Sequence, residues 1–467
     1  MSDHDLCYLS IAELVEVFRQ KTLSPVEYVR LLRSRIERLN PTLNLFLSLN
    51  PELELAAAES ERRWRNGSQR SDYEGVPFSV KDLILTRELP TTAGSRIFGD
   101  GIRTDSSGPA VARLQQLGML LLGKTHLHEC AFGVTNESAH FGPARNPWDP
   151  ARMTGGSSGG SAGALAAGLG PASLGTDTRG SIRIPSACCG TTGLKPTFAR
   201  IPVQGVLPLS PKLDHIGPMA RSAADVERLF QGLLGAETFQ LPPVPSISGI
   251  RMGLVGYFLR GLDREVETAI GTALRQFERG GVELVKLKLK GVEDALDASD
   301  VISKAEAVAT HHENLLNRPD RFDPKVRERM IAGYDLHAVE LVRALQVRRR
   351  CETEFEAAFQ QVDCIAAAGL PVEAPLLGTE IVALPSGDEP VVRCFVRLHA
   401  PQNMARVPSM VFPCGFTASG LPVSFQLIGR RGNDELLFRL GRFYQQETDW
   451  HLKTPQDGFP PGPIRCA

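Results

Sequence analysis

The sequence predicts an α/β fold, a large mixed β-sheet sandwiched between α-helices, and three observations lead there. Helix and strand patterns alternate from residue 222 to 289. Short apolar runs punctuated by Gly, Ser, Thr and Pro fill residues 75–218, as buried strands joined by tight loops do. Strand-like runs then return in the last third, after a charged helical stretch at 291–361. Apolar segments run through the whole length without a long polar linker, so residues 1–467 are read as a single domain.

Taken in order, Ser24-Pro25-Val26-Glu27 has the capping-box arrangement, and Val26, Val29, Leu32, Ile36 and Leu39 follow at helical spacing. That helix is expected to end before Asn40-Pro41, with a short strand at 43–49 and a charged helix at 52–66. Strands are expected at 78–80 and 119–122, and a helix of small residues at 160–169. Beyond them come a strand at 251–256, a helix at 265–279 and a strand at 282–286. Residues 362–368 and 409–413 read as buried strands, and 421–428 alternates like an edge member of a hairpin. The Pro-rich stretch 241–246 reads as a short connector, and 456–467 as a loose tail.

Composition narrows the function. The 467 residues carry 52 Lys plus Arg against 53 Asp plus Glu, so no global field steers the chain to nucleic acid or an anionic membrane. The acidic start lacks the basic and apolar regions of a secretory signal and no long apolar run follows, so the expected location is cytoplasmic. Nine scattered cysteines without a C-x-x-C pair read as reduced thiols, and Cys188 and Cys189 as inert buried ones. No metal motif or phosphate-binding loop occurs, and neither a metal nor an organic cofactor is expected.

The chemistry concentrates in Thr154-Gly155-Gly156-Ser157-Ser158-Gly159-Gly160 and in Thr176-Asp177-Thr178-Arg179-Gly180-Ser181-Ile182-Arg183. Glycine lets backbone N–H groups converge on a ligand, as an oxyanion hole requires, so two serine-bearing turns suggest nucleophilic attack on a carbonyl. A serine needs a base. Histidines at 126, 128, 140 and 215 stand in no triad-like order, although sequence distance does not forbid one. Lys81, closing the apolar run Val76-Pro77-Phe78-Ser79-Val80, serves if burial lowers its pKa; the alternative is an ordinary lysine at a strand end.

Those two loops, with Val80-Lys81-Asp82 upstream and Leu213-Asp214-His215-Ile216-Gly217-Pro218 downstream, resemble the amidase-signature family from Leu9 to about Pro455. The resemblance implies the amidase-signature fold and a Ser-cisSer-Lys set: Ser181 as nucleophile, Ser157 as proton shuttle on a cis peptide, Lys81 as base. It also implies an oxyanion hole from the backbone N–H groups of Thr178, Arg179, Gly180 and Ser181. Asp177 and Arg183 are expected to pair and shape the turn, and Ser158 either bonds within its loop or caps the next helix.

Arg179 departs from the small residue of most relatives. Its guanidinium either reaches the pocket to clamp a carboxylate or pairs internally and points away. Specificity is expected from residues 129–136 and 291–361, with Phe132 and Phe141 as candidate pocket aromatics or plain core.

Three functional readings follow. The first is a free-standing amidase on a small-molecule carboxamide, with no direct nucleic-acid or membrane partner and a homodimer on base rate alone. The second is the glutaminase (A) subunit of a tRNA-dependent amidotransferase, against which His215 counts where those subunits tend to have glutamine. The third is an inactive scaffold of the same fold, with Arg179 as the lesion.

Overall fold

Residues 2–456 are described in the computed structural model; the tail beyond Gln456, Cys466 included, lies outside the described residues. Ser24 opens helix Pro25–Leu43 with the expected reciprocal bonds: Glu27 N donates to Ser24 Oγ at 3.2 Å and Ser24 N to Glu27 Oε2 at 2.8 Å. The helix does not stop at Asn40. It continues through Pro41 to Leu43, and Asn44 in the left-handed region ends it. Proline so close to the end removes one N–H, and Asn40 ties down the exit, its Oδ1 accepting from Leu45 N and Phe46 N at 2.8 Å each. The following strand is thereby shortened to begin at Phe46.

Eleven strands form one mixed sheet: β1 Phe46–Leu49, β2 Pro77–Lys81, β3 Leu120–Thr125, β4 Ala172–Asp177, β5 Thr192–Lys195, β6 His215–Ala220, β7 Arg251–Val255, β8 Glu283–Leu287, β9 Cys364–Ala368, β10 Ser409–Phe416 and β11 Pro422–Gly429. Their spatial order is β1-β3-β2-β4-β6-β5-β10-β11-β9-β7-β8. Strand β2 runs parallel to both β3 and β4, so the C-terminal ends of β2 and β4 lie side by side. That places Lys81 next to Thr176 and Asp177, where an open α/β sheet presents residues to a pocket.

The expectation of β11 as an edge strand is corrected: β10 and β9 pair with it on either side, both antiparallel. Its alternation has another cause. Ser424 and Gln426 are buried and face helix Arg183–Cys189, while Phe425 on the opposite face meets Phe277 and Phe412, which in turn contact Tyr444. Helices Arg264–Arg279 and Asp434–Gln446 carry Phe277 and Tyr444, so the sheet has helices on both faces. The predicted helical segment resolves into Glu293–Asn317, Pro324–Ile331 and Ala338–Ala358. Among the described residues no helix is long and apolar enough to cross a membrane.

Helix Gly159–Ala166 is buried along its entire length. Its glycines serve close packing: a Cβ on Gly160 would lie 2.5 Å from both His126 N and His126 O and 2.6 Å from Leu45 O. These obstacles are backbone and cannot swing aside. Gly160→Ala is therefore expected to cost roughly 1–3 kcal/mol through overpacking, read as a lower denaturant midpoint; an unchanged midpoint would contradict this packing account.

Candidate active site

Lys81 ends β2 fully buried, with Nζ donating to Ser157 Oγ and to Thr176 Oγ1, each at 2.7 Å. No carboxylate among the described residues forms an ion pair with it. Burial pushes its pKa down to about 7, against the pull of Asp177 and Asp214. The surface-lysine reading is thereby excluded.

The first glycine loop turns at Gly155, whose φ of 68° favours glycine, and carries a cis peptide between Gly156 and Ser157. Ser157 O accepts from His128 N at 3.1 Å. Ser158 does not cap the helix: its Oγ donates to Thr176 O at 3.2 Å and accepts from Thr176 N at 3.3 Å. Ser158 N also donates to Ser181 O at 3.1 Å, stitching the two serine loops together.

The second loop is built around Asp177. Its carboxylate receives Arg183 Nε at 3.0 Å and Nη2 at 3.1 Å, a bidentate pair, together with Gly180 N at 2.8 Å and Ile182 N at 3.2 Å. Burial alone would raise the Asp177 pKa, but the Arg183 charge and its hydrogen bonds hold it well below the usual carboxylate range. Gly180 has φ 117°, and a Cβ there would lie 2.7 Å from His399 Cβ, so only glycine turns this corner without a shift.

The backbone N–H groups of Thr178, Arg179 and Ser181 find no acceptor among the described residues. Gly180 is corrected: its N–H is engaged by Asp177, which leaves three donors for an oxyanion. The Thr178 hydroxyl donates to Asp214 Oδ1 at 2.6 Å, and burial raises the Asp214 pKa to about 6. Ser181 is 5% exposed and opens onto a small, narrow pocket lined by Phe132, Val134, Thr178, Arg179, Leu209 and Arg329 among others.

Arg179 pairs internally, as the second alternative has it, without leaving the pocket. It lines the pocket, and its Nη1 donates to Asp300 Oδ1 at 2.8 Å on helix Glu293–Asn317. Phe132 lines the pocket as well, but Phe141 does not; it is 37% exposed and packs edge-on against His126 and His140. His215 sits behind the Ser181 loop with Nδ1 2.7 Å from Leu213 O and 3.2 Å from Asp177 O, and it does not line the pocket. No histidine hydrogen-bonds to Ser157 or Ser181 through its side chain among the described residues.

Sequence reading missed Gln426, His399 and Asn403. Gln426 Oε1 accepts from Arg183 Nη1 at 3.0 Å, and Arg183 Nη2 donates to Asn403 Oδ1 at 2.6 Å and to His399 O at 3.1 Å. The only signal was a glutamine amid apolar residues in β11, which alternation disguised as solvent exposure. Cys130, Cys188, Cys189, Cys351, Cys364, Cys394 and Cys414 are buried free thiols, and burial pushes the Cys189 thiol up. No cluster able to hold a metal occurs among the described residues. A larger cleft beside helix Ile11–Arg19 contains none of the site residues, and its Arg228 and Arg442 pair with Asp225 and Glu227.

Comparison with known proteins places this geometry. The Amidase family model matches residues 27–438. The A subunit of glutamyl-tRNA(Gln) amidotransferase from Chloroflexus aggregans is 37% identical over 489 aligned positions, covering 97% of this chain and 99% of that protein. The crystal structure of an amidase superposes with a TM-score of 0.88 at 33% identity, over 94% of this chain and 100% of that one. The corresponding A subunit from Thermotoga maritima superposes with a TM-score of 0.76 at 28% identity, over 96% and 95%.

The buried pair generates a stability test. Asp177→Asn leaves Arg183 charged in the core without its counter-ion, at an expected cost of about 3–5 kcal/mol, measured by chemical denaturation. A loss well under 1 kcal/mol would mean that Gln426 and Asn403 suffice to hold the guanidinium.

Proposed function

The chain belongs to the amidase family, hydrolases of carbon–nitrogen amide bonds, and from that premise we propose that Ser181 attacks the amide carbonyl while Ser157 relays its proton to Lys81. The observation that carries this is the environment of Lys81: fully buried, without an ion-pair partner, and 2.7 Å from each of two hydroxyls. A neutral amine there keeps one N–H on Thr176 Oγ1 and offers its lone pair to the Ser157 hydroxyl.

As Ser157 passes its proton to Lys81 it takes the Ser181 proton, and Ser181 Oγ bonds to the carbonyl carbon. The tetrahedral oxyanion is met by the N–H groups of Thr178, Arg179 and Ser181, held in place by Asp177 and by the Thr178–Asp214 bond. The proton returns through Ser157 to the departing nitrogen, the C–N bond breaks, and an ester on Ser181 remains. Water then attacks that ester, giving its proton to the same relay, and Ser181 leaves with the proton restored.

A second reading concerns the setting. The sequence relatives named above support the glutaminase (A) subunit more strongly than a free-standing enzyme. In that setting the substrate is glutamine and the partners are companion subunits and, through them, tRNA. The closer superposition on the amidase than on the Thermotoga protein supports the free-standing setting.

Two outcomes are expected. Ser181→Ala and Lys81→Ala each lower kcat/KM for amide hydrolysis by on the order of 10⁴-fold or more, and turnover surviving Ser181→Ala would remove Ser181 as the acyl acceptor. Because protonation disables the base and Lys81 is held near 7, kcat/KM should rise with pH through about 7 and level off above it. A profile that falls over that interval would exclude Lys81 in this role.

A further inference from the structure

The pocket above Ser181 has an unusual charge inventory. Its side chains include two guanidiniums, Arg179 and Arg329, and no carboxylate; the rest are apolar apart from Thr178 and Ser181. Arg329, on helix Pro324–Ile331, is partly buried, donates through Nη1 to Phe132 O and lies 5.5 Å over the Phe132 ring. It forms no salt bridge among the described residues. Arg179 does, but its partner Asp300 is already shared with Lys304 at 2.6 Å. Asp300 thus holds two cations, Arg179 and Lys304, while Arg329 has no ion pair of its own among the described residues, and its one side-chain hydrogen bond there leaves further N–H donors on the guanidinium.

A guanidinium withdrawn from water without a counter-ion is costly, and a carboxylate matches its fork with two parallel hydrogen bonds. An ammonium entering the same pocket meets like charge and no acidic side chain. We propose that the substrate is a short carboxamide whose acyl part bears a carboxylate seated on Arg179 and Arg329 and no ammonium beside it, such as the monoamide of a dicarboxylic acid. The inference rests on Ser181 being the acyl acceptor of this pocket. After burial, the neighbouring Arg179 also lowers the Arg329 pKa, against the pull of Asp300, Asp323 and Glu328. A bound carboxylate relieves that repulsion. The narrow pocket and the two-residue separation of Arg179 from Ser181 keep the anion within a few carbons of the scissile carbonyl.

The test compares the monoamides of succinic and glutaric acid with butyramide, valeramide and glutamine, by ammonia release and by ligand-induced shift in melting temperature of Ser181→Ala. The monoacid amides are expected to exceed both the neutral amides and glutamine by roughly a hundredfold in kcat/KM, and they alone should raise the melting temperature of Ser181→Ala. Arg329→Gln should collapse the ratio of anionic to neutral turnover, mainly through KM, Arg329→Lys should restore part of it, and Arg179→Gly should reduce it. Glutamine turned over as well as the monoacid amides, a ratio unchanged in Arg329→Gln, or no anionic ligand shifting Ser181→Ala overturns the proposal. Anionic preference with turnover that survives Ser181→Ala would instead overturn the assignment of Ser181, which keeps the two failures apart.

Discussion

Asp177 and Arg183 form a fully buried ion pair at the end of β4, and the loop that carries Ser181 is wrapped around it. The residues between them carry Ser181 and all three free N–H groups. Their path is determined by Asp177, which binds Gly180 N and Ile182 N from within, and by Arg183, which reaches out to Gln426, His399 and Asn403. A buried ion pair is weak evidence of stability, since desolvation offsets most of its attraction. What it supplies here is direction: the acceptors around the guanidinium and the two N–H groups on Asp177 hold the loop between them from within.

The same desolvation acts on three buried strand lysines, and their partners separate their uses. Lys124 in β3 lies against Ile84 O, Thr91 Oγ1 and the Asp82 carboxylate, and ties the segment after β2 to the sheet. Lys195 in β5 donates to Val407 O at 2.5 Å and Pro196 O at 3.2 Å. Lys81 has two hydroxyls instead. Lys124 also meets a hydroxyl, Thr91 Oγ1, and Lys195 lies 3.4 Å from His215 Nε2, but of the three only Lys81 bonds a hydroxyl of a serine loop, Ser157. Burial lowers all three pKa values, so the shift alone would not have singled it out.

The pocket itself joins the second serine loop to distant segments. Thr178, Arg179 and Ser181 line it together with residues 131–134, Val392 and Val396 of helix Val391–Val396, and Arg329 of helix Pro324–Ile331. Most of the lining thus comes from parts of the chain far in sequence from the two serine loops.

Features with local causes could be read from the order of residues alone. The capping box at Ser24, the layered α/β pattern, the glycine-rich serine turns and the Asp177–Arg183 pairing depend on residues within one or two turns of each other, and all were legible. Two readings failed for different reasons: the Asn40 side chain, by capping the exit locally, let the helix run past Pro41, and a distant contact turned the polar face of β11 to Arg183 rather than to water. The desolvation of Lys81, the engagement of the Gly180 N–H and the meeting of Arg179 with Arg329 in one pocket came only with the folded chain. Burial and charge proximity are sums over everything packed around a group, and no window of sequence contains those neighbours.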